Sequence, residues 1–93
     1  MIYVLIPVFN RLDMTKHVLD CLSKQKVSQK IEVVVIDDGS TDGTHEFLRG
    51  QSDVVTLKGD GNLWWGGAIN LGLEYVSNKL QESDSILFLN NDV

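Results

Sequence analysis

The 93-residue sequence has one cysteine, one proline and no excess of positive charge. A single cysteine, Cys21, excludes an internal disulfide and suits a reducing cytosol. The formal net charge of −5 argues against a nucleic-acid partner. It leaves room for a small phosphorylated ligand bridged by a divalent cation. No apolar run approaches the roughly 20 residues of a membrane span. The opening "MIYVLIPVFN" has neither a basic leader nor a small-residue cleavage site, so it reads as a first core strand. Repeats, linkers and low-complexity segments are absent, and so are Ser-His-Asp, C-x-x-C and H-E-x-x-H arrangements. What remains is an ordinary soluble composition, 43% hydrophobic and 23% charged, in one small domain.

Four short apolar runs alternate with three helical patterns. Ile2–Ile6, closed by Pro7, is a strand. Leu12, Val18, Leu19 and Leu22 fall at helical spacings between Arg11 and Lys26, with Lys16, Asp20 and Lys24 opposite. The run 31–36, "IEVVVI", is continuous in Val and Ile as parallel strands are. Asp42 or Thr41 can cap a short helix to about Arg49, and Gly50 stops it. Val54–Leu57 is a third strand. Trp65–Leu80 is a helix burying Ala68, Ile69, Leu71, Leu73 and Val76, and Ile86–Leu89 is a fourth strand.

The order βαβαβαβ implies an α/β fold, a Rossmann-like parallel sheet with right-handed crossovers. Two outward crossovers place the first two helices on one face. The third helix then covers the other face and returns strand four beside strand one, giving the order 3-2-1-4. Ligands bind such sheets at the carboxyl ends of the strands flanking the switch point. Pro7, Val8, Phe9 and Asn10, the Asp37–Asp38 pair, and Asn90 to Asp92 all lie there. Strand four is apolar on both faces, yet the sequence ends four residues after Leu89. An uncovered edge of this kind invites pairing. The expectation is a domain truncated after these residues, or self-association through Ile86–Leu89.

Three constellations carry chemistry. Adjacent Asp37 and Asp38, in "VVVIDDGSTDGT", repel each other and are costly to bury. A capped turn and a ligand contact explain the dipeptide equally well. "LNND" offers the hard oxygens of Asn90 and Asp92 to Mg²⁺ or Mn²⁺. An Asn/Asp turn is its plainer reading, and the switch-point location favours the metal. "GDGNLWWGGAINLG" is not a dinucleotide fingerprint, since its spacing differs and it follows strand three. Its glycines let a ligand approach the backbone. Trp64 and Trp65 could stack on a sugar or base, although one of them is expected in the core. His17 and His45 are expected at the surface, Cys21 as a small buried hydrophobe, and Lys58 and Lys79 in solvent.

Taken together, "YVLIPVFNR", "VVVIDDGSTDGT", "GNLWWGGAINLGLEYV" and "ILFLNNDV" resemble the family 2 glycosyltransferases of GT-A fold, over essentially the whole chain. The third segment is most similar to the rhamnosyltransferase-type branch. The resemblance implies that residues 1–93 are the nucleotide-sugar-binding half of such a domain. Pro7 to Asn10 would border the base and ribose, Asp38 would hydrogen-bond the base, and Asp37 would support the loop. The stretch containing Gly61, Asn62, Gly67 and Asn70 would approach the nucleotide-sugar. Asn91 would contact the ribose or sugar, and Asp92 with Asn90 would hold Mn²⁺ or Mg²⁺. Asn90 departs from the family's D-x-D-like motif by replacing an Asp. The implied reaction is inverting transfer of a sugar from a nucleoside diphosphate donor to a glycan or other acceptor hydroxyl, relevant to polysaccharide biosynthesis. The catalytic base would lie downstream of "NND", so the fragment alone should be inactive. The setting implied is the cytoplasm, with membrane attachment carried elsewhere in a full-length protein.

Two readings compete. A non-catalytic nucleotide- or metal-binding α/β module would bind nucleoside diphosphate without turnover. A phosphoacceptor signalling domain would carry its acidic pair after strand one and a lone Asp ending strand three, whereas here the pair follows strand two and strand three ends in "LKGDG" with no such site.

Overall fold

Runs of Val, Ile and Leu with no polar face demand cover on both sides of the sheet they form. The computed structural model describes residues 1–25 and 30–89. In it β1 (Ile2–Val8), β2 (Ile31–Asp37), β3 (Val54–Lys58) and β4 (Ser85–Phe88) form one parallel sheet in the order β3-β2-β1-β4. The helices are α1 (Leu12–Ser23), α2 (Thr44–Arg49) and α3 (Trp64–Ser77). Every element read from the sequence is present in the expected order, with ends displaced by a few residues.

Strand alternation divides the core in two. Tyr3, Leu5, Val34 and Ile36 pack against Ala68 and Val76 of α3 on one face. Val4, Ile6, Val8 and Val35 pack against Leu19 of α1 and Leu48 of α2 on the other. Burial pushes the Tyr3 phenol above its usual range. Among the described residues β4, at the far edge, pairs with β1 alone, and its Leu87 and Phe88 are exposed.

Two local outcomes differ from expectation. Cys21 is exposed, because α1 turns Thr15 and Leu19 fully inward and half-buries Val18 and Leu22, which leaves position 21 outside that stripe. Trp64 and Trp65 are both exposed, at 79% and 56%, while Leu63 takes the inner position against the α3 core. Among the described residues no helix is long and apolar enough to cross a membrane.

Candidate functional site

Successive side chains of a strand point to opposite faces. Asp37 follows Val33 and Val35 towards α1 and α2, and Asp38 follows Ile36 towards α3. Both carboxylates are buried, at 1% and 6% exposure. They serve different elements.

Asp38 meets the start of α3. Its Oδ1 accepts the Gly61 N–H at 2.8 Å, and its Oδ2 accepts those of Leu63 at 3.0 Å and Trp64 at 3.1 Å. A helix start has unsatisfied N–H groups and a positive dipole end, so a carboxylate from a neighbouring strand caps it well. The seat is tight. A Cβ on Gly59 would lie 2.6 Å from Asp38 Oδ1 and 2.5 Å from Leu63 Cδ1. Gly39, at φ +79°, passes so close to Gly61 that a Cβ would reach its Cα at 2.9 Å. Trp64 is held at φ +57°, a region bulky side chains avoid at a cost on the order of 1–3 kcal/mol. That backbone turn carries the tryptophan pair outward.

Asp37 organises the opposite rim. Its Oδ1 accepts the Ser40 N–H at 3.0 Å, and Ser40 Oγ accepts the Asn10 N–H at 2.7 Å. Asn10 Oδ1 in return accepts the Thr41 N–H at 2.7 Å. Asp42 Oδ2 accepts the Leu12 N–H at 3.0 Å, so the loop before α2 caps α1. Its Oδ1 accepts both the N–H and the hydroxyl of Thr44. The Thr44 hydroxyl is the main reason the Asp42 carboxyl sits below its usual range. Asn10 and Arg11, at φ +58° and +60°, form the turn that makes these contacts geometrically reachable. The loops after β1 and β2 are therefore one hydrogen-bonded unit.

The residues proposed from the sequence distribute around this unit. Pro7 and Asn10 are half-buried, Val8 is buried, and Phe9 projects into solvent. Gly61 and Asn62 lie in the loop that reaches Asp38, and Asp60 Oδ1 accepts the Asn62 N–H at 2.8 Å. Gly67 is half-buried in the first turn of α3, where its N–H bonds Leu63 at 2.9 Å, and Asn70 is exposed further along the helix. Asn90, Asn91 and Asp92 lie outside the described residues. The ladder between β4 and β1 continues to the Leu89 N–H, 3.0 Å from Leu5 O. Among the described residues no three His, Cys, Asp or Glu side chains gather as a metal site.

Sequence reasoning misplaced His45 as well. It is half-buried rather than at the surface, with Nδ1 3.8 Å from Asp37 Oδ2. Its closeness to Asp37 depends on where the first turn of α2 lands, which helical periodicity over six residues does not encode. A cavity of about 560 Å³ between α1, α2 and the starts of β2 and β3 lies at the opposite end of the sheet from the acidic pair.

The sequence family model described as glycosyl transferase family 2 matches residues 3–93. The chain belongs to glycosyl transferase family 2. This family 2 chain is 31% identical over 98 residues to an uncharacterised glycosyltransferase of Mycoplasma genitalium, covering 96% of this chain and 31% of that protein. It is 35% identical over 97 residues to a 4,4'-diaponeurosporenoate glycosyltransferase of Staphylococcus haemolyticus, covering 99% of this chain and 24% of that protein. A validoxylamine A glucosyltransferase of Streptomyces hygroscopicus is 39% identical over 56 residues, covering 59% of this chain and 13% of that protein. The family 2 chain thus spans less than a third of the length of these relatives.

Proposed function

We propose that residues 1–93 form the donor-binding region of an inverting glycosyltransferase, receiving a nucleoside diphosphate sugar at the carboxyl ends of β1 and β2. The observation that carries this reading is the hydrogen-bonded unit of Asn10, Asp37, Ser40, Thr41 and Asp42, built at the switch point beside β4. A rim already fixed by its own hydrogen bonds loses little entropy on binding. In this reading Pro7 to Asn10 border the base and ribose. Asp38 spends both oxygens on three backbone donors, the Leu63 N–H being shared between them, so in this reading it fixes the Gly61–Trp64 loop beside the base rather than contacting the base itself. Gly61, Asn62, Gly67 and Asn70 border the sugar, with the exposed Trp64 and Trp65 as stacking faces.

The oxygens of Asp92 and Asn90 suit a hard divalent cation, Mn²⁺ or Mg²⁺, with Asn91 directed to ribose or sugar. Such an ion, when bound, neutralises charge building on the leaving diphosphate. Deprotonating the acceptor hydroxyl requires a base. Asp37, Asp38, Asp42 and Asp60 all accept backbone N–H groups and so serve to hold the loops together. This supports a base from outside the described residues, and a 93-residue chain that binds donor without turning it over.

The test is calorimetric titration of UDP, dTDP and GDP with and without Mn²⁺, beside Asp92→Ala. Metal-dependent binding of one nucleotide, lost in the variant, is the expected result. A folded chain that binds none of the three at millimolar ligand overturns the reading.

A further inference from the structure

Asp37 is fully buried, yet only one of its oxygens is used. Oδ1 accepts the Ser40 N–H, whereas Oδ2 has no hydrogen-bond partner among the described residues. The atom facing it, His45 Nδ1 at 3.8 Å, is likewise buried and without a hydrogen-bond partner. Two orphaned polar atoms facing each other in an otherwise satisfied rim are costly, and such sites call for an explanation. A neutral imidazole has one ring nitrogen that only accepts, and a protonated one donates from both. With the proton present, the gap holds opposite charges in a water-poor setting, where attraction is strong.

We propose that His45 is a positioning residue of the donor site. Its protonated ring anchors Asp37 and, through Ser40 and Asn10, sets the loop after β1, so that nucleotide binds more tightly when His45 carries its proton. This rests on the donor-site reading above. The path is short and continuous: Asp37 Oδ1 to Ser40 N, then Ser40 Oγ to Asn10 N at 2.7 Å. The anchor exists only while the ring carries its proton, so affinity falls as rising pH removes that proton.

The other charged groups around the pair are accounted for. Lys58 of β3 is in register with Asp37 and exposed, and β1 contributes the uncharged Val8. From α1, Lys16 lies over the Phe47 ring at 5.4 Å. Asp38 turns to the other face, and Asp42 is engaged by Leu12 and Thr44. On α2 itself, Glu46 and Arg49 are exposed.

The experiment is an NMR titration from about pH 5 to 8 of the native chain, His45→Gln and Asp37→Asn, with UDP and Mn²⁺ affinities at about pH 6 and 8. In the native chain the Ser40 and Asn10 amides should follow the His45 imidazole, and in His45→Gln they should stay flat. UDP's own ionisation is common to all. The affinity ratio between the two pH values should therefore exceed that of His45→Gln by about tenfold, the low end of the scale of one hydrogen bond to a charged group. Amides that ignore His45, or equal ratios in the two proteins, overturn the proposal. Absence of UDP binding at either pH overturns the donor-site reading instead, and the amide titration still decides whether His45 governs the loop.

Discussion

Asp37 and Asp38 are neighbours in sequence and serve opposite sides of the sheet. Asp38 is saturated by three backbone donors from a loop more than 20 residues away and acts as the N-terminal cap of α3. Asp37 holds the rim with one oxygen and leaves the other against His45. The difference teaches that a costly acidic pair need not have a single explanation. Strand alternation splits it into a structural carboxylate and a site carboxylate, each burying its charge against separate partners.

Removal of the saturated carboxylate should have the largest effect. Asp38→Ala strands three N–H groups at the start of α3, and urea unfolding should show a loss of about 2–4 kcal/mol. A loss no larger than that of Asp37→Asn would erase the proposed division. Gly59→Ala pushes a methyl into Asp38 and Leu63, and should cost about 1–3 kcal/mol by the same assay. Its amide spectrum should change around residues 61–64 and leave Ser40 unmoved. Asp37→Asn should be milder in stability, about 1 kcal/mol, and should perturb Ser40 and Asn10 while sparing α3.

The smallest effect is the pH dependence from Asp42. Its folded carboxyl lies below the unfolded value of about 3.9, so its contribution is present above that value and disappears as pH falls through the folded one. Asp42→Asn should therefore flatten the acid limb of a stability profile and leave the neutral region little changed. An unaltered acid limb would show that the cap between the α2 loop and α1 does not depend on charge.

Much of this arrangement was legible in the residues. Continuous Val and Ile runs specify parallel strands, and handed crossovers then leave few orders for four of them, so β3-β2-β1-β4 and the helix faces follow. The switch point locates the Pro7–Asn10 and Asp37–Asp38 loops together. What was not legible depends on contacts distant in sequence. The partners of Asp38 lie 23 to 26 residues away, and they determine the backbone at Trp64. Nothing local to "LWWGG" says that Leu63 turns in and both tryptophans turn out. His45 was hidden for a similar reason, because its role depends on the landing point of a six-residue helix.

The most direct measurement is amide shift mapping of the chain during titration with UDP and Mn²⁺. The account predicts changes concentrated at Val8–Asn10, Asp38–Thr41 and Gly61–Trp64. Changes concentrated instead at Lys16, Leu22, Phe47 and Gln51, which line the cavity at the opposite end of the sheet, would contradict it.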